Sequence, residues 1–311
     1  MQYGLPYKGS KTKIADTIIE HIPPAKVFYD LFAGGCAVSH AALLSGKWER
    51  VVANDIAAYP KMFMDAARGR YRNDYRWVSR EDFFNSTDPF DRLVFSFGND
   101  CRTYIYGEEI EPFKRAMHYA VCFGDYAPMK ELGIDLSPID ECKTMKQRRL
   151  KAFRIIAAVR DRTASKWYDC NIHLENLERL ERLQNLERLE RISDVSGFGT
   201  SKNIDRMEAV QGSYDAVPIV GDSVIYCDIP YVSTNGYGKS RISDFDYDTF
   251  YDWAAKQTVP VYVSEYWMPP DLFECILEIK TLSLICADSP TEAIERLFVP
   301  KGAIYPKTTL F

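Results

Sequence analysis

The amino-acid sequence predicts an α/β protein: a mostly parallel sheet flanked by helices, with a mainly helical module inserted between its two halves. Three observations carry this. Short apolar runs alternate with helical stretches over the first third of the chain, the rhythm of strands joined by crossover helices. That rhythm fades between about residues 86 and 213, then returns at 223–228 and 259–264. The interruption holds a basic helix and a leucine repeat, which do not belong to a parallel sheet. The expected division is a domain built from 1–85 and 214–311, with 86–213 as an inserted module. This is the layout of an enzyme with a separate recognition domain.

Residues 12–21 read as a helix with Ile14, Ile18 and Ile19 on one face, ended by Pro23-Pro24. Residues 27–32 (VFYDLF) read as a buried strand, Ala33-Gly34-Gly35 as a turn, and 37–44 as a helix of small and apolar residues. A second strand covers 50–54 and runs into Asp55; 92–95 is a third candidate. In the second half, 245–256 is the helix between the strands at 223–228 and 259–264.

Composition narrows the class. Of 311 residues, 46% are hydrophobic and 27% charged, a balance that excludes a fibrous or largely disordered chain. No apolar run approaches the ~18–20 residues that span a bilayer, and MQYGLPYKGSKTK lacks the apolar core of a signal peptide. The eight cysteines form no C-x-x-C pair and the four histidines stand apart from them, so neither a metal site nor a disulfide framework is expected. A cytoplasmic protein with reduced thiols is the economical reading. With a net charge of −5, any nucleic-acid binding has to come from a local basic patch.

Four short motifs carry the chemistry. In DLFAGGCAV (30–38), paired glycines lead from a strand into a helix, which suits either a ligand approaching bare backbone or a tight connection. Asn54-Asp55 ends the next strand, 21 residues after Gly34; an acid so placed accepts from ribose hydroxyls, or merely caps a helix. Together these two favour an adenosine-bearing cofactor. CDIPY (227–231) puts a carboxylate, a main-chain carbonyl and an aromatic ring within four residues. That set holds an exocyclic amine while stacking its ring, though a strand-end Asp before a proline turn looks the same. LPYKGSK (5–11) offers two lysines, a glycine and an aromatic, as a cofactor cap or as a polar arm.

In this order, the four motifs resemble the Dam-type, D12-class DNA adenine-N6 methyltransferases of phages and bacteria. The matching positions are Tyr7 to Lys11, Asp30 to Gly35, Asn54-Asp55 and Asp228 to Tyr231, with FGNDCRTYIYGEE, VSEYWMP and ERLFVPKG also similar. The resemblance implies a Rossmann-like S-adenosylmethionine-dependent sheet with an inserted target-recognition module. It implies S-adenosylmethionine held by Tyr7, Lys11, Asp30, Phe32, Gly34, Gly35, Asp55 and Asp228, double-stranded DNA as partner, and GATC as target by analogy. It also implies a rotated adenine whose N6 hydrogens go to the Asp228 carboxylate and the Ile229 carbonyl, with Pro230 shaping the loop and Tyr231 stacking on the base. One departure stands out: the family's D-P-P-Y is D-I-P-Y here. Ile229 supplies the carbonyl as well as proline does but loses the ring's rigidity, so a less preorganised loop is expected.

Within the module, residues 143–162 carry eight basic side chains against one acid, Asp161. Lys146, Arg148, Arg149, Lys151 and Arg154 are the expected phosphate contacts, with Asn99 and Arg102 as groove contacts. Leucines and Ile192 recur every three residues from Leu174 to Ile192, a stripe that winds around an α-helix rather than keeping to one face. A curved helix, a small solenoid and a tolerated spacer all fit. The competing functions are methylation of another amine, in RNA or a protein glutamine, and a DNA-binding protein that has lost catalysis.

Overall fold

A computed structural model describes residues 2–167, 183–231, 245–283 and 291–302. They form two compact units, one comprising the chain up to Arg70 and from Val195 onward, the other Tyr71–Asp194.

The first unit is built on a seven-stranded sheet. Its strands are β1 (Ala25–Asp30), β2 (Trp48–Asp55), β3 (Met207–Gln211), β4 (Ser223–Asp228), β5 (Val261–Glu265), β6 (Phe273–Ser283) and β7 (Thr291–Pro300), in the order β3-β2-β1-β4-β5-β7-β6. Neighbours pair in parallel except at β7, which runs against both β5 and β6. The helices Ala15–His21, Ala37–Ser45, Tyr59–Ala67 and Tyr247–Ala255 accompany it. This is the Rossmann-like α/β architecture expected from the sequence, a mostly parallel sheet accompanied by helices. Strands β4 and β5 are buried almost throughout, as covered central strands must be, which is why they read as continuous apolar runs.

Strand order reverses between β1 and β4, and such a switch point opens a crevice at the carboxyl ends of the strands. The last residues there are acidic: Asp30 ends β1, Asp55 ends β2, Asp228 ends β4 and Glu265 ends β5. Because β7 is antiparallel and Arg296 pairs with Glu265, the middle of β7 lies level with that carboxyl edge.

Three sequence expectations are corrected. Residues 92–95 are not a strand: they close the helix Pro89–Val94, which Asp88 starts by accepting from the Phe90 N–H, with Pro89 at its first position. Residues 195–213, expected in the inserted module, lie in the sheet unit and supply β3, whereas 71–85 join the other unit. The hairpin of β6 and β7 was not foreseen.

The second unit is helical, with Glu111–Phe123, Met145–Trp167 and Gln184–Val195 as its longer helices. A buried polar chain runs through it. Tyr106 Oη donates to Asn185 Oδ1 (2.7 Å), Asn185 Nδ2 to His118 Nδ1 (2.9 Å), and His118 Nε2 to the Tyr75 carbonyl (2.8 Å). Part of the leucine repeat, 174–182, falls outside the described residues. In the rest, Leu183, Leu186, Leu189 and Ile192 are all buried, so the winding stripe is met by protein over a broad arc of the helix. No helix among the described residues is long and apolar enough to cross a membrane.

Candidate active site at the carboxyl edge

The site begins with the N-terminal arm. Leu5 N donates to the Gly35 carbonyl at 2.7 Å and lays Tyr7 across the glycine turn. A Cβ on Gly35 would come within 2.5 Å of Tyr7 Cβ, and one on Gly34 within 3.1 Å of its ring. The close approach these glycines permit is therefore made by Tyr7, itself edge-on to Tyr59. A helical turn at Lys11–Lys13 then sends Lys11 toward β4.

Asp30 is fully enclosed. Its Oδ2 accepts from Ser39 N (3.1 Å) and Ser39 Oγ (2.5 Å), while Oδ1 has no hydrogen-bond partner among the described residues. Burial, with repulsion from Asp228 and Asp55, pushes its carboxyl up to about 7 against the Ser39 hydrogen bonds. Asp55 accepts from Gly34 N at 2.9 Å and Ala57 N at 2.8 Å, yet burial still raises it. Asn54 positions it, donating to the carbonyls of Leu31 (3.0 Å) and Gly212 (3.1 Å). Phe32 stacks on Tyr214 and meets Phe245 and Phe250 edge-on, within an aromatic cluster beside the core. Ile56, next to Asp55, is 78% exposed.

Leu31 N donates to the Tyr226 carbonyl, which ties the glycine bend to β4. At the end of β4, Asp228 Oδ1 pairs with Lys11 Nζ at 2.9 Å. The same ammonium is 3.4 Å from Glu295 Oε1 on β7 and 4.5 Å from the centroid of the Tyr231 ring. Tyr231 Oη donates to Glu295 Oε1, and Tyr266 packs edge-on against the Tyr231 ring. Burial raises both Asp228 and Glu295, with Lys11 opposing the shift in each. The Pro230 carbonyl accepts from Tyr247 Oη at 2.9 Å.

An enclosed carboxylate with a bare oxygen, two more acids close enough to repel it, and an amine-accepting Asp–aromatic pair together suit a cationic ligand and an amino-bearing ring. Residues 7–123 match the family model for D12 class N6 adenine-specific DNA methyltransferases. Over that segment the chain is similar to this family. The family's reaction is adenine-N6 methylation of DNA, catalysed by an S-adenosylmethionine-dependent enzyme. No curated protein matches the chain.

Several of the expected residues of the sheet unit lie at its carboxyl edge. Lys11 and Asp228, both expected at the cofactor, pair with each other. Ile229 is buried among core residues that include Phe250, Met268 and Phe273, so packing holds the loop where a proline ring would have stiffened it. Sequence reasoning missed Glu295. It opens the ERLFVPKG segment mid-strand, and only the pairing of β7 with β5 reveals its level.

In the second unit, Asn99 and Arg102 lie on a loop closed by a bridge between Ser96 and Tyr104. Gly98, Asn99 and Cys101 all take left-handed backbone there, and Phe97 is 56% exposed. Arg188 clamps the base of the loop by donating to the Val94 and Ser96 carbonyls. On the basic helix, Lys146 and Arg154 are exposed. The others are engaged within the unit: Arg148 with the Val121 carbonyl and Asp140, Arg149 with Glu187 and Glu190, and Lys151 with Glu141. Among the described residues no group of His, Cys, Asp and Glu is arranged to hold a metal ion.

Proposed function

We propose that this chain is a site-specific methyltransferase acting on N6 of an adenine rotated out of duplex DNA, with S-adenosylmethionine as donor. The observation that carries the reading is the Asp228–Tyr231 clamp at the switch point, beside mutually repelling carboxylates. S-adenosylmethionine supplies an electrophilic methyl group, whose transfer forms the new N6–carbon bond as the sulfur–carbon bond breaks. Asp30 and Asp55 would face its positive charge and ribose hydroxyls, with Tyr7 and the Phe32–Gly35 loop walling it and the exposed Ile56 against its adenine.

Adenine N6 is inaccessible inside the stack, so the base has to leave it before reaction. Asp228 and the Ile229 carbonyl accept the two N6 hydrogens, which draws the nitrogen lone pair toward the donor. Tyr231 stacks on the base, a contact worth ~1–3 kcal/mol. When N6 gains the methyl group it gives up one proton, and the Asp228 carboxylate is the acceptor in reach. The second unit would bind DNA through the 96–104 loop, with Asn99 and Arg102, and through Lys146 and Arg154.

The test is label transfer from S-adenosylmethionine to unmethylated DNA, followed by methylation-sensitive sequencing to read the site. Label on adenine N6 that vanishes in Asp228→Ala is expected. Binding of DNA without transfer in the wild-type protein would refute the reading.

A further inference from the structure

We infer that Glu295 is a positioning residue for methyl transfer: it shares Lys11 with Asp228 and anchors the Tyr231 hydroxyl, leaving the Asp228 carboxylate available to the target amine. The inference rests on the adenine-N6 reading above.

A carboxylate is not buried in the middle of a strand without a charged or hydrogen-bonding partner. Glu295 is 5% exposed, and its Oε1 receives both the Tyr231 hydroxyl and, at 3.4 Å, the Lys11 ammonium. Lys11 stands closer to Asp228, at 2.9 Å. Two acids thus share one base.

With Asp228 as its sole acidic partner, Lys11 would neutralise that carboxylate and keep hold of Oδ1, an oxygen an incoming amine needs. Withdrawing Lys11 from such a pair would strand a buried cation, which is costly. Glu295 removes that penalty. It offers the ammonium a second acidic partner at 3.4 Å, so Lys11 can yield to the amine while staying paired. The same oxygen fixes the Tyr231 hydroxyl and with it the plane of the ring, already braced edge-on by Tyr266. Glu295 touches neither base nor donor in this scheme and acts through Lys11 and Tyr231.

The arrangement has a pH signature. Asp228 is faced by Lys11 from the N-terminal arm, Asp30 from β1, Tyr226, Cys227 and Tyr231 from its own strand and loop, Tyr266 after β5, and Glu295 from β7. Replacing Glu295 by a neutral isostere removes one negative neighbour of Asp228 and one acidic competitor for Lys11. Both changes favour the ionised carboxylate, so the acid limb of turnover moves to lower pH while turnover itself falls.

The experiment measures kcat against pH, S-adenosylmethionine affinity by calorimetry and thermal melting for the full chain and for Glu295→Gln. Expected are a kcat at least tenfold lower, an acid limb displaced downward, and donor affinity within about threefold of wild type. An unchanged kcat, or a limb that stays or moves upward, overturns the inference. Should Glu295→Gln fail to fold, Glu295→Asp carries the test: keeping the charge, it is expected to retain the wild-type acid limb with reduced kcat, and a limb displaced downward in it overturns the inference. A wild-type protein that methylates no adenine would refute the proposed function instead, so the two failures are distinguishable.

Discussion

Gly4 donates its backbone N–H to Nδ1 of the buried His40 ring at 3.1 Å, tying the N-terminal arm to the helix Ala37–Ser45. With Nδ1 accepting, the ring proton sits on Nε2 and is donated to Thr200 Oγ1 at 2.7 Å. Gly4 itself has φ +67, and a Cβ there would stand 2.4 Å from the Gly35 carbonyl oxygen. His40 thus holds the arm that delivers Tyr7 and Lys11. Burial keeps the ring neutral and pushes its pKa from 6.5 to about 4.

A depressed histidine contributes stability that is present above its unfolded pKa and is lost as pH falls through the folded one. Wild-type stability is therefore expected to drop between pH 6.5 and about 4. His40→Leu should be less stable at neutral pH by about 1–3 kcal/mol and should lose less across that window. Thermal melts at a series of pH values check this. A variant with the same pH dependence as wild type would show that another group governs the acid limb.

Ile229 gives a second prediction. The sequence alone suggests that this position, where the family carries proline, leaves the loop loose. Its side chain is instead 2% exposed within the core. Ile229→Pro would remove buried apolar volume and should lower stability by about 1–3 kcal/mol. Turnover at moderate temperature should stay within about twofold, because burial already fixes the loop. Melting temperature and a single-turnover rate settle it, and a large gain in rate would mean that the loop had been mobile.

These two sites show what the sequence made legible. Strands β1, β2, β4 and β5 are covered, so their apolar runs could be read from the chain alone, as could Asp55 and Asp228 at the ends of two of them. β3 escaped because MEAVQ at the sheet edge is only partly buried. Residues 92–95 misled because LVF is as apolar as a strand, although Asp88-Pro89 just upstream signals a helix start. Glu295 and His40 lay beyond reach for a different reason. His40 belongs to no motif, Glu295 opens the ERLFVPKG segment but was not singled out there, and each acquires its role only through partners far away in the chain. The same holds for Arg149, whose charge pointed to phosphate until Glu187 and Glu190 were found beside it.

Cofactor affinity should depend on pH through Asp30. Its carboxyl is raised to about 7, first by burial and then by Asp228 and Asp55, so the group favours the unliganded fold when protonated, and that contribution is lost as pH rises through 7. A cationic donor favours the carboxylate and expels the proton. Below about pH 7, binding of S-adenosylmethionine should release a proton to the buffer, and affinity should climb as pH approaches 7. Calorimetry in buffers of different ionisation enthalpy detects this release. Asp30→Asn should bind more weakly, with little pH dependence. Proton uptake by the wild-type protein would refute the assignment.

The basic helix separates structural from DNA-facing charge. Arg149 is 12% exposed and forms three hydrogen bonds of 3.0 Å with Glu187 and Glu190, so it fastens the helices Met145–Trp167 and Gln184–Val195 together. Arg149→Ala removes this charge pairing from two partly buried carboxylates and should lower the melting temperature. Lys146 and Arg154 are exposed, and replacing either should leave the melt nearly unchanged. Each should instead reduce the slope of log K against log salt for duplex DNA by about one, without altering the methylated sequence. Binding isotherms at several salt concentrations, read beside melting curves, distinguish the classes. If Lys146→Ala and Arg154→Ala leave the slope intact, DNA is held by another face of the unit.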